Sequence, residues 1–151
     1  MLKIGDNAPD FTLTSDEGKE VSLKDFKGKR VLLYFYPKAS TPGCTIEACE
    51  FRDDIKRFVK KGVAVVGVSP DKPAAQAKFK QKYELPFTLL ADQEKAAAEA
   101  YGVWREKNMY GKKVMGIVRS TFVIGPDGKI EKIYGNVKAK GHAAQVLEAI
   151  T

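Results

Sequence analysis

The chain has 151 residues, enough for one domain to bury roughly 70% of its unfolded surface, so neither a disulfide nor a metal is needed to hold a core. Its 26 Lys and Arg against 19 Asp and Glu leave a net charge of +7. The basic residues are dispersed among acids, the pattern of a solvated surface, and this argues against nucleic acid as a partner. No stretch reaches the ~18 apolar residues of a membrane span, and the opening "MLKIGDNAPDFTL" lacks the apolar run of a secretory leader. The expectation is a single cytoplasmic domain over residues 1–151 with no membrane contact, in a compartment where thiols stay reduced.

In chain order, "FTLT" and "VSL" flank the turn residues "SDEGKE" and predict an N-terminal β-hairpin. "RVLLYFY" (30–36) is a continuous apolar run rich in β-formers, as expected of a strand covered on both faces. Residues 42–61 place Ala48, Phe51, Ile55, Phe58 and Val59 at helical spacing, predicting one amphipathic helix. "GVAVVGVS" (62–69) reads as a second buried strand, and residues 72–83 and 93–102 as helices. "STFVIG" (120–125) is a third strand, paired across "GPDGK" with "KIEKIYG", and "HAAQVLEAI" is a last helix. This order is α/β with a central mixed β-sheet flanked by helices, and its short elements suit a thioredoxin-like sandwich.

Cys44 and Cys49 are the only cysteines, five residues apart just after Pro42-Gly43. Thr41 suits an N-cap and Pro42 the first helical position, which puts Cys44 in the first turn. There the unpaired backbone N–H groups and the helix dipole favour a thiolate. Three other readings compete. A buried structural cysteine fits poorly with the polar context; a zinc site needs four ligands, and the chain offers two Cys and a distant His142. A thiol–disulfide exchange site would show C-x-x-C, not the C-x-x-x-x-C found here. On an ideal helix residues five apart have Cα atoms roughly 8.6 Å apart, beyond the ~7 Å limit of a disulfide. If the two bond, the helix must open, roughly over Pro42 to Arg52, and Phe51, if it packs into the core, should be pulled out or re-docked.

The segment "YFYPKASTPGCTIEACEFRD" closely resembles the active-site segment of the peroxiredoxin Q, or bacterioferritin comigratory protein, group of thiol peroxidases. The likeness spans essentially the whole chain, including "GDNAPDFTL", "YGVWREKNMYGKKVMGIVRSTFVI" and "VKAKGHAAQVL". The pattern P-x-x-x-T-x-x-C is met by Pro37, Thr41 and Cys44. The resemblance implies reduction of hydrogen peroxide and organic hydroperoxides, with thioredoxin or a similar dithiol as reductant. It implies no cofactor, whether metal, haem or flavin, since sulfur carries the two-electron chemistry. It implies that Cys44 is the peroxidatic cysteine and Cys49 the resolving one, forming an intrachain disulfide. Thr41 would hydrogen-bond peroxide and thiolate, Arg119 would stabilise the thiolate and orient the oxygens, and Pro37 would shield the pocket. Resolution within one chain needs no partner subunit, so a monomer is expected. Ala39 stands where many relatives carry an acid.

Other residues are read more plainly. His142, the sole histidine, is expected on the surface. Glu47 is expected to be solvated or paired with Lys38. Arg52 is either a second pocket cation or an ion-pair partner of a neighbouring acid. Trp104 and Tyr110 lie in a loop-like stretch, where packing competes with lining of the peroxide or reductant site.

Overall fold

The computed structural model describes residues 1–150, the Met109 side chain excepted. The strands are β1 (Thr12–Ser15), β2 (Glu20–Ser22), β3 (Arg30–Phe35), β4 (Val63–Ser69), β5 (Thr88–Ala91), β6 (Trp104–Met109), β7 (Lys112–Ile117), β8 (Ser120–Ile124) and β9 (Ile130–Tyr134). The helices are α1 (Pro42–Asp53), α2 (Ile55–Lys60), α3 (Pro73–Tyr83), α4 (Ala96–Ala100) and α5 (His142–Ala149). Seven strands form one sheet in the order β2-β1-β5-β4-β3-β8-β9, while β6 and β7 form a separate hairpin. The pairs β3–β4 and β4–β5 are parallel and the other pairs of the large sheet antiparallel, so the sheet is mixed.

β3 is apolar from Val31 to Phe35 because the strand lies inside this sheet, between β4 and β8, with both faces covered. Successive side chains alternate between two cores. Leu32, Tyr34 and Tyr36 join α1, α2, α3 and α5 through Phe51, Phe58, Phe79 and Val146. Val31, Leu33 and Phe35 join Ala97, Tyr101 and Phe122 on the other face. Tyr34 lies opposite Gly67 of β4. A Cβ there would stand 2.9 Å from the Tyr34 ring, so only glycine leaves room for it.

The N-terminal hairpin, the three long strands and the last helix form as expected. Three departures matter. The helix expected over 42–61 is broken at Asp54, whose ψ of 5° ends α1 before α2 begins, and Val59 is exposed. "TLLA" (β5) escaped notice because four residues are too short to declare a period, yet it completes the parallel core of the sheet. The stretch from Trp104 to Ile117 is the β6–β7 hairpin rather than a loop. It stands outside the main sheet and exposes most of its residues, so it carries none of the apolar alternation that marks a half-buried strand.

Candidate active site

β3 delivers the chain to the site. After Tyr36, whose N–H donates to the Val68 carbonyl, residues 37–41 turn the chain into α1. Ser40 takes a left-handed conformation at φ 64°, and the Ala39 N–H donates to Asp71 Oδ2 at 2.7 Å, tying the turn to the segment after β4. Pro37 is half-buried where the chain leaves the sheet. Thr41 occupies the N-cap position and Pro42 opens the helix, as expected. Its hydroxyl, however, donates to the Lys38 carbonyl at 2.8 Å and does not cap the helix N–H groups.

Cys44 sits in the first turn of α1 and is 1% exposed. Although buried, its Sγ accepts a hydrogen bond from Arg119 Nη2 at 3.2 Å. Arg119 lies between β7 and β8. Its own carbonyl accepts from the Val137 N–H, and the preceding Val118 N–H donates to the Val103 carbonyl. The guanidinium passes close over the start of α1: a Cβ on Gly43 would meet Nη2 at 3.2 Å. Cys49 is half-buried in the same unbroken helix, and both cysteines are free thiols.

The second arm of Arg119 corrects the reading of Glu47. Glu47 is neither solvated nor paired with Lys38: its side chain is fully buried, and Arg119 Nη1 donates to its Oε1 at 2.6 Å. Burial pushes its pKa up to about 7, against the attraction of the Arg119 charge. For Arg119, burial opposes the charge, but Glu47 and Cys44 more than offset it and leave the pKa above the ordinary arginine value. The signal for Glu47 was present in the sequence. Cys44, Glu47, Ala48 and Phe51 follow the i, i+3, i+4, i+7 stripe that faces the core, whereas Cys49 lies off it. Glu47 Oε2 and the Tyr34 hydroxyl, both buried, have no hydrogen-bond partner among the described residues.

The Glu47 titration has a measurable sign. Between its unfolded value of 4.5 and its folded value of about 7, the native state holds a proton that the unfolded state has released. Wild-type stability therefore falls as pH rises through that window, by roughly 3 kcal/mol in total. Glu47→Gln removes the titrating group. Its stability relative to wild type is expected to rise from about pH 5 to about pH 8, read by urea denaturation at each pH. A difference that does not change with pH would show that Glu47 does not titrate there.

Other candidates resolve differently. His142 is not on the surface: it is 1% exposed, its Nε2 is 2.7 Å from Thr121 Oγ1, and its Nδ1 is 3.1 Å from Gln145 Oε1. Burial lowers its pKa. Arg52 is an ion-pair partner, donating to Asp53 Oδ1 at 3.0 Å and to the Tyr83 carbonyl at 2.8 Å. Trp104 packs half-buried against the second core with Lys95 5.0 Å from its ring, and Tyr110 stands fully exposed at the hairpin tip. A residue the sequence reading passed over is Lys107. Its Nζ donates to the Ile117 carbonyl at 2.5 Å, two residues before Arg119. Burial, and next the Arg119 charge, lower its pKa.

Residues 4–133 match the model of the AhpC/TSA family. The chain is 52% identical over 146 residues to a putative peroxiredoxin bcp of Coxiella burnetii, covering 97% of each chain. It is 48% identical over 149 residues to peroxiredoxin Bcp of Bacillus subtilis, covering 99% of this chain and 95% of that one. Among solved structures it superposes on a cysteine-to-serine mutant of PrxQ from Xylella fastidiosa with a TM-score of 0.93 at 35% identity, covering 99% and 95% of the two chains. The bacterioferritin comigratory protein of Xanthomonas campestris, described for its alkyl peroxide reduction activity, gives a TM-score of 0.89 at 39% identity over 93% of this chain and 89% of that one. With a thioredoxin-like sheet that brings a buried cysteine and an arginine together at the start of a helix, the chain belongs to the AhpC/TSA family and is a peroxiredoxin, a thiol peroxidase.

Proposed function

We propose that Cys44 is the peroxidatic cysteine of this enzyme and Cys49 its resolving cysteine, acting within a single domain on hydrogen peroxide and organic hydroperoxides. The observation that carries this reading is the Arg119 fork, one arm 3.2 Å from Cys44 Sγ and the other fixed 2.6 Å from Glu47. A guanidinium held by a buried carboxylate is a preorganised donor: it stabilises negative charge on the sulfur and then on the oxygen displaced as the peroxide O–O bond breaks. The Thr41 hydroxyl proton is committed to the Lys38 carbonyl, which leaves the Oγ1 lone pairs to accept from the O–H of a bound hydroperoxide. Pro37, half-buried at the turn, shields the pocket from water.

The electron balance is simple. The Cys44 thiolate attacks one peroxide oxygen, the O–O bond breaks, and its electron pair leaves on the other oxygen as alkoxide or hydroxide, which takes up a proton. Cys44 becomes a sulfenic acid. The Cys49 sulfur then displaces the sulfenic hydroxyl as water, forming an intrachain disulfide. Thioredoxin or a similar dithiol returns both thiols and is itself oxidised to its disulfide. Because resolution is intrachain, the working unit is a monomer, and its dependence on reduced thiols suits the cytoplasm. Among the described residues, no helix is long and apolar enough to cross a membrane.

The test is thiol counting before and after one equivalent of peroxide, with mass mapping of the product. Both thiols should disappear and the peptides bearing Cys44 and Cys49 should be linked. The helix consequence is tested by amide hydrogen exchange. Both cysteines lie inside the wound α1, so protection across residues 42–53 should be lost in the disulfide form while that of α2 persists beyond the break at Asp54. Equal protection of α1 in the two forms would require another resolving route.

A further inference from the structure

α5 is anchored at both ends by the polypeptide that carries the cysteines. At its N-terminus the Gly141 N–H donates to Glu50 Oε1 at 2.8 Å. Gly141 is the N-cap residue, at φ 85°, and has no side chain with which to cap its own helix. At the other end Lys61 Nζ donates to the Ile150 carbonyl at 2.7 Å. An anion at the N-terminus and a cation at the C-terminus both complement the helix dipole. The anchors belong to different pieces of chain: Glu50 to α1, Lys61 to the end of α2, with the break at Asp54 between them.

Glu50 is the residue next to Cys49, and Phe51 follows it. Phe51 is fully buried, 4.7 Å from the Tyr34 ring and edge-on to His142 at 5.9 Å. Joining Cys44 to Cys49 unwinds the backbone around Cys49, because five helical residues hold Cα atoms roughly 8.6 Å apart and a disulfide spans at most ~7 Å. The Glu50 cap cannot outlast that unwinding, whereas the Lys61 anchor lies beyond the break and can.

We propose that Glu50 is a positioning residue for the resolving step: by capping α5 it holds α1 wound, and release of that cap sets how fast Cys49 reaches the Cys44 sulfur. This rests on the reading that Cys49 resolves Cys44. The sulfenic acid has two fates. Attack by Cys49 forms the S–S bond and releases water; attack on a second hydroperoxide transfers an oxygen to sulfur, giving sulfinic acid and an alcohol. Glu50 therefore also sets how much peroxide the enzyme tolerates before it is lost to over-oxidation.

Two side effects of Glu50→Ala run against the proposal, which sharpens its test. Alanine is the better helix former and on propensity alone would keep α1 wound. The Glu50 charge also disfavours ionised Glu47, so its removal strengthens the Glu47–Arg119 pair that braces the same helix. Acceleration in this variant is thus explained by neither effect.

The experiment is stopped-flow measurement of disulfide formation after rapid oxidation of Cys44, in wild type, Glu50→Ala and Glu50→Gln. For a charged helix cap, Glu50→Ala should resolve about tenfold faster. Glu50→Gln keeps an acceptor oxygen without the charge and should fall between the two. The peroxide concentration that over-oxidises half the protein should rise in the same order. The Gly141 amide should exchange slowly in reduced wild type and rapidly both in the disulfide form and in reduced Glu50→Ala. Equal resolution rates with the Cys44–Cys49 disulfide intact overturn the proposal alone. Absence of that disulfide in wild type overturns the resolving role of Cys49 and this proposal with it.

Discussion

Cys44→Ser is expected to leave no peroxidase turnover, while Cys49→Ser should consume about one equivalent of peroxide per chain and stop. The asymmetry follows from where α1 places the two sulfurs. Cys44 is in the first turn, against the unpaired N–H groups and under the Arg119 guanidinium at 3.2 Å. Cys49 is more than a turn further on, off the buried stripe of the helix, without a cation bonded to it among the described residues. A serine hydroxyl is far too weak an acid to ionise at neutral pH, so Cys44→Ser would remove the proposed nucleophile altogether. In Cys49→Ser the first oxidation proceeds, but no sulfur within the chain displaces the sulfenic hydroxyl. The measurement is peroxide consumed per chain with thioredoxin or dithiothreitol present. Multiple turnovers by Cys44→Ser would overturn the assignment. With a small thiol such as dithiothreitol, slow turnover by Cys49→Ser is compatible with it, because that thiol can itself attack the sulfenic acid; with thioredoxin alone, full wild-type turnover is not.

Arg119→Lys is expected to slow Cys44 oxidation by about a hundredfold, the usual scale for loss of one donor aimed at developing charge. Lysine keeps the charge and loses the planar fork. Arg119 bonds Glu47 Oε1 at 2.6 Å and Cys44 Sγ at 3.2 Å through different nitrogens. A single ammonium cannot hold both positions with the same geometry. Whichever contact is lost, the pair is left poorer: either the sulfur lacks its donor, or a fully buried carboxylate lacks its cation and takes up a proton. The decisive comparison is peroxide attack against alkylation by iodoacetamide, which uses the same sulfur but no peroxide oxygens. Peroxide attack should fall further than alkylation. An equal fall in both would mean that Arg119 acts on the sulfur only and does not orient the substrate.

Much of the fold is legible locally because burial has a local signature. The apolar run that forms β3 announces a strand covered on both faces, and Thr41-Pro42-Gly43 announces where α1 begins. Where the signature is weak, the reading fails for identifiable reasons. β5 is four residues long, and the β6–β7 hairpin lies outside the large sheet, so neither displays a period. The helical spacing running through Ile55 and Phe58 conceals the break at Asp54, because a backbone change of one residue leaves the apolar pattern nearly intact.

By itself the sequence determined the α/β order, the placement of Cys44 in the first turn of a helix, and a spacing to Cys49 that a wound helix cannot bridge. These are properties of short segments, set by periodicity, capping chemistry and the fixed rise of the helix. The family resemblance, and not the chain's periodicity or spacing, pointed to Arg119 before any distance was known. Only the tertiary structure decided what surrounds these residues. Glu47 and His142 look like solvated polar residues until their partners are known. Arg119 stands 72 positions from Glu47, and Thr121 lies 21 positions from His142. The acceptor of the Gly141 amide, Glu50, is 91 residues away in the chain. A buried charge or a capped helix is a contact between distant segments, and periodicity within one segment carries no information about which residue arrives from another.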